Sequence, residues 1–164
     1  MASPIVVKFS CTGPSHGPTL QGANARKEGS MKKYPGSCLC KTVTFEIIGE
    51  FTAFFLCHCS RCRKETGSAH AANLFSKTGE LQWLSGHDSI RSYHLPDTRF
   101  VKTFCGSCGS ALPTASNSRI VVPAGSLDCD VDIQATAHIF SASKANWDNN
   151  LEHVIRYKTL PPRT

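Results

Sequence analysis

Residues 42–47 read Thr-Val-Thr-Phe-Glu-Ile, with apolar side chains at every second position and a high content of β-branched and aromatic residues. That is the period-two pattern of a strand with one buried face. Similar short stretches recur at 51–56, 71–75, 81–84, 100–104, 120–122 and 136–140. Gly49, Gly79, Gly86, Pro96, Pro113 and Gly125 punctuate the chain between them. No segment carries a long apolar stripe at helical spacing, and only Ser60–Thr66 offers a helical turn or two. The pattern therefore predicts a mainly β domain of antiparallel sheets with little helix. It begins at Tyr34, because residues 1–33 have no apolar periodicity and are rich in Ser, Gly, Pro, Lys and Thr. We divide the chain into an N-terminal leader, 1–33, and one domain, 34–164.

At 164 residues and 40% hydrophobic content, the chain can bury a core without disulfide staples. No apolar run reaches membrane-spanning length, and Ile5-Val6-Val7 is too short a run to serve as a secretory signal. The expected location is the cytoplasm, a reducing compartment in which clustered cysteines bind metal or do redox work. The formal charge of +6 suggests an acidic partner at first sight. Metal-bound thiols are deprotonated, however, so seven thiolates and two divalent ions together contribute −3 and leave about +3. Part of the remainder sits at Arg26, Lys27, Lys32 and Lys33 in the leader, and the other basic residues are scattered rather than interleaved with aromatics. This argues against a nucleic-acid partner.

Seven of the nine cysteines fall into three clusters: Cys38 and Cys40; Cys57, Cys59 and Cys62; Cys105 and Cys108. Cys11 and Cys129 stand apart in sequence and are read as non-ligands. A C-x-x-C turn eased by Gly106 and Gly109 is half of a zinc ribbon. The C-x-C pair can supply the other half, because residues i and i+2 of an extended strand face the same way. Cys38, Cys40, Cys105 and Cys108 thus make a closed four-sulfur site that contributes directly to folding. Cys57, Cys59 and Cys62 offer three ligands from one loop. The fourth position belongs either to water or an incoming thiol, which makes the site catalytic, or to His58, His70, Cys129 or His138, which makes it structural. An iron–sulfur cluster and a Cys59–Cys62 redox pair are further readings of the same spacing. In the segment His138 to Trp147, Phe140 and Trp147 read as core or rim packing.

Taken together, Gly36-Ser37-Cys38-Leu39-Cys40, Cys57-His58-Cys59-Ser60-Arg61-Cys62-Arg63, Phe104-Cys105-Gly106-Ser107-Cys108-Gly109, His138-Ile139-Phe140 and Ser143-Lys144-Ala145-Asn146-Trp147 resemble the glutathione-dependent formaldehyde-activating enzyme family, also called the centromere protein V family. The resemblance covers about residues 34–148. It implies an Mss4-like β-tent with two zinc ions per chain, Cys38, Cys40, Cys105 and Cys108 holding the structural one and Cys57, Cys59 and Cys62 the catalytic one. It also implies a carbon–sulfur lyase of the S-(hydroxymethyl)glutathione synthase type, which joins a small-molecule thiol such as glutathione to an aldehyde such as formaldehyde. The carboxylates of such a thiol need cationic partners. Arg61, Arg63, Lys64 and Lys144 are candidates, with Arg63 and Lys144 preferred and Trp147 beside them in the last motif. His58, between two ligands, is expected to serve the pocket without coordinating. A non-catalytic zinc-stabilised module that binds protein, or as the lesser option nucleic acid, is the competing reading, since related folds also serve as binding modules.

Overall fold

The computed structural model describes residues 31–162. Cys11, Arg26, Lys27 and the apolar triplet at 5–7 lie outside the described residues. The domain is mainly β, with three sheets and one α-helix.

The first sheet joins β1 (Lys33–Ser37), β2 (Thr44–Ile48) and β5 (Glu80–Ser85), all antiparallel. In β2 the alternation read from the sequence becomes burial, with Phe45 and Ile47 fully inside and Glu46 at the surface, bound to Lys33 at 2.9 Å. β1 is absent from the pattern reading because Pro35 and Gly36 interrupt it. Pairing of all five of its residues with β2 imposes the strand nonetheless. Gly36 is required there, since a Cβ would meet the Phe45 ring at 2.2 Å. Lys33, the last residue of the expected leader, is the first of this strand.

The second sheet has the order β11-β3-β4-β10-β9, from β3 (Ala53–Cys57), β4 (Ala71–Ser76), β9 (Thr114–Ser116), β10 (Arg119–Pro123) and β11 (Ala137–Ile139). Only β11 runs parallel to its neighbour, placing Ile139 beside Cys57. The third sheet contains β6 (Ile90–His94), β7 (Val101–Cys105) and β8 (Ala111–Leu112). α1 (Ser60–Thr66) occupies the span expected of it and stops at Gly67, which takes the left-handed conformation (φ 63°) that a residue with a Cβ resists. A main core gathers Tyr34, Val43, Phe45, Ile47, Leu74, Leu112, Ile120 and Val122 with Cys38 and Cys105. A second, smaller cluster gathers Cys57, Cys62 and Ala71. Among the described residues no helix is long and apolar enough to cross a membrane.

Candidate functional site

The four-cysteine group is built from two turns that follow strands. β1 ends at Ser37, and the backbone then turns, with Lys41 N–H donating to Cys38 C=O (2.8 Å) and Lys41 in the left-handed region (φ 60°). The extended C-x-C expected from spacing is thus a turn, and bending brings the Cys38 and Cys40 sulfurs to 3.4 Å. β7 ends at Cys105, where Gly109 N–H donates back to Cys105 C=O at 2.8 Å. Leu39 N–H donates to the Ser110 hydroxyl at 3.0 Å and ties the two turns together. Cys40 and Cys105 sulfurs are 3.9 Å apart, and all four sulfurs lie within 4.8 Å of one another. Tetrahedral zinc with Zn–S of about 2.3 Å sets ligand sulfurs about 3.8 Å apart, so this group fits the ion.

Cys57, Cys59 and Cys62 come from the β3–α1 junction. Cys57 closes β3, and Cys59 is the N-cap of α1, its sulfur accepting from Cys62 N–H at 3.5 Å. Their sulfurs also lie within 4.8 Å of one another, and this donor set likewise fits a metal such as zinc. No fourth Cys, His, Asp or Glu among the described residues joins this group. His58 and His70 instead fall in a separate group with Asp148. Cys129 packs against the main core and belongs to neither cysteine group.

Electrostatics is mixed within each group in the same way. Burial pushes the Cys38 thiol up to about 11 and raises Cys62 further. Hydrogen bonding has the opposite effect on their partners. The Ser110 hydroxyl and backbone bring Cys108 down to about 5, and the Thr42 hydroxyl lowers Cys40. At Cys59 burial works upward, but the Cys62 N–H and the neighbouring thiols outweigh it and lower the thiol. Each group therefore joins a stabilised thiolate to a buried thiol whose ionisation needs a nearby cation, the condition a divalent metal satisfies.

Behind the three-cysteine loop lies a histidine cluster. His58 is 1% exposed, and its Nε2 is 2.8 Å from His138 Nδ1. Its Nδ1 is 3.2 Å from Asp148 Oδ2, itself in a residue only 6% exposed. Lys144 Nζ approaches the same oxygen at 3.8 Å. Burial, chiefly, and then the neighbouring His70 lower the His58 pKa, while Asp148 pulls the other way.

A cavity of about 720 Å³ is bordered by Cys57 and Cys62. Residues of all three sheets line it, with an aromatic wall of Phe55, Phe75, Trp83 and Phe100. Arg99, Arg119 and Glu65 supply charge. The Arg119 guanidinium sits 5.7 Å from the Phe75 ring centroid, held by cation–π attraction. Burial raises the Glu65 carboxyl, with Lys102 opposing that shift.

Of the residues read as substrate-binding, Arg63 follows Cys62 on α1 with its Nε buried and unpartnered, and Lys144 stands at Asp148. Trp147 and Phe140 are 61% and 63% exposed, so neither packs in the core. Arg63, Lys144 and Trp147 are not among the residues that line the cavity. Arg99, Arg119 and Glu65 escaped the sequence reading because nothing local marks them, and only sheet packing brings them to the cysteines.

Two cysteine groups whose donor sets fit a metal ion on a mainly β scaffold, one of them bordering a cavity, mark a β domain with candidate metal centres and a candidate active site. The sequence pattern of the family described as "Glutathione-dependent formaldehyde-activating enzyme" matches residues 33–143, and the chain belongs to that family. No curated protein matches the chain. Among solved structures, the crystal structure of a Rhodobacter sphaeroides protein is similar at a TM-score of 0.50 and 18% identity, covering 63% of this chain and 98% of that one. At that identity the likeness speaks for the fold alone.

Proposed function

We propose that the protein joins a thiol, glutathione or a close analogue, to a small aldehyde such as formaldehyde, with Cys57, Cys59 and Cys62 as the reactive centre. The observation that carries this reading is the three-cysteine group, with no fourth protein donor among the described residues, at the wall of a cavity that also presents Arg99 and Arg119. When bound there, zinc supplies the charge that keeps a thiol ionised at neutral pH.

The chain's own residues supply the rest. Cys57 and Cys62, buried at the cavity wall, and Cys59, at the helix N-cap behind them in the same group, form a preorganised set of sulfurs. Arg99 and Arg119 are suited to pair with the carboxylates of the thiol substrate and so orient its sulfur toward that set. Arg63 and Lys144 remain candidates for a carboxylate that projects past the loop, with Trp147 as an exposed flank. The aromatic wall of Phe55, Phe75, Trp83 and Phe100 gives the aldehyde an apolar surface to lie against. As the carbon–sulfur bond forms, the carbonyl π pair becomes an alkoxide that must take up the proton released by the thiol. Glu65, whose carboxyl pKa burial raises against the pull of Lys102, lines the cavity close to Cys62 in sequence and is our candidate to carry that proton.

The test is adduct formation from ¹³C-formaldehyde and glutathione, followed by NMR for the zinc-loaded protein and for Cys59→Ser. Loss of catalysed adduct formation together with one metal equivalent supports the reading. Unchanged catalysis with that site emptied overturns it.

A further inference from the structure

Four buried side-chain atoms among the described residues have no hydrogen-bond partner, and three of them are His58 Nδ1, His70 Nδ1 and Asp148 Oδ2. These three residues also bring one ligand atom each to within 4.8 Å of one another. An unsatisfied buried polar group costs about 1–3 kcal/mol, and folded proteins rarely leave several together without a reason. We infer that His58, His70 and Asp148 form a third metal site, for a divalent transition ion of the zinc type, distinct from both cysteine groups.

The hydrogen bonding around His58 supports this assignment. With Nε2 2.8 Å from His138 Nδ1, one proton is shared between those two nitrogens. If His58 donates it, the bare lone pair of Nδ1 faces a carboxylate oxygen 3.2 Å away, and two electron pairs oppose each other. If His138 donates it, Nδ1 carries hydrogen but its direction makes no hydrogen bond to Asp148. A cation between the two removes the conflict in the first arrangement, and the Nε2–H bond to His138 is then the outer contact that metal-bound imidazoles regularly make. His70 Nδ1 has no partner in either arrangement.

Tetrahedral zinc with Zn–N and Zn–O bonds of about 2.0–2.2 Å sets ligand atoms about 3.3–3.6 Å apart. His58 Nδ1 and Asp148 Oδ2, at 3.2 Å, already stand near that spacing, and the ligand atom of the half-buried His70, within 4.8 Å of both, closes on them by rotation of its ring. Two imidazoles and one carboxylate suit zinc and its first-row neighbours and leave room for water. Among the described residues Lys144 is the lysine or arginine paired with Asp148, at 3.8 Å, and with its side chain 34% exposed it can turn to solvent. An ion at this position links the loop carrying Cys57 and Cys59 to the approach to β4 and to the 3-10 turn Asn146–Asp148. The site is independent of the reaction proposed above.

The experiment adds Co²⁺ to full-length protein whose cysteine groups already hold zinc, and follows visible absorption and paramagnetic broadening of histidine ring protons. One equivalent is expected to bind with d–d bands, without thiolate charge-transfer absorption, and to broaden the His58 and His70 signals. Asp148→Asn and His70→Gln should each weaken that binding about 100-fold or more, and Lys144→Met should tighten it several-fold. Absence of this equivalent in the wild-type protein, charge-transfer bands alone, or binding indifferent to all three substitutions overturns the assignment. The wild-type titration decides even where a variant fails to fold.

Discussion

The two cysteine groups use the same ligand chemistry and differ in what they join. Cys38 and Cys105 are members of the main core, and their group clamps together the ends of β1 and β7, in different sheets and about 65 residues apart in the chain. Cys57, Cys59 and Cys62 come from six consecutive residues and gather at the smaller cluster, and Cys57 and Cys62 border the cavity. A ligand set that closes a long loop does its work on the fold, because the unfolded chain must give up the most freedom to form it. A ligand set already local in the chain gains little from that source and is free to face a pocket. In the function proposed above, position in the topology, more than ligand type, separates a structural role from a chemical one.

Substitution at the clamp is the sharpest way to break this contrast. Structural zinc binding contributes about 10–16 kcal/mol in small domains, and the whole net stability of a domain is about 5–15 kcal/mol. Cys105→Ser is therefore expected to leave the protein unfolded at 37 °C, and circular dichroism with metal analysis checks it. A cooperative melt near the wild-type midpoint would place the clamp outside the stability of the fold. Cys59→Ser should do the reverse. Its expected loss is one metal equivalent and on the order of 100-fold or more in thiol–aldehyde adduct formation, while the thermal midpoint moves by only a few degrees.

Smaller effects sharpen the role of the cavity. The double change Arg99→Gln and Arg119→Gln should raise the KM for glutathione roughly tenfold, equal to about 1.4 kcal/mol. The KM for an uncharged thiol such as 2-mercaptoethanol should stay the same, and equal changes for both thiols would show that these arginines do not read carboxylates. The smallest effect is expected at Glu65. Burial raises its folded-state pKa above that of the unfolded chain, so its favourable contribution is fully present at low pH and is lost as pH rises through the folded pKa. Glu65→Gln should therefore slightly raise thermal stability at pH 7, with the gain fading toward pH 4 in melts recorded across that range.

β2 and β10 were legible because one face of each is buried and the side-chain period of two records it, and β3, β4 and β5 because short apolar runs bounded by turn residues mark them. Others were not. β1 carries Pro35 and Gly36, and β6 exposes Arg91 through His94, so both owe their conformation to a neighbour's hydrogen bonds. The cysteine ligand groups were legible for a related reason, since short spacings and small turns nearly determine where sulfurs converge. For Phe140 and Trp147, read as core or rim packing, the structure removes the core option, because hydrophobicity alone does not say how deep a turn lies.

By itself the sequence determined the mainly β class, the span of α1 and the grouping of seven thiols, all of which depend on neighbours within a few residues. Only the tertiary structure decided that His58 meets His138 and Asp148 some 80 to 90 residues later, and that Arg99 and Arg119 share a cavity with Cys57. Those contacts are set by how three sheets pack, a long-range outcome of burial that leaves no periodic mark on the residues that meet.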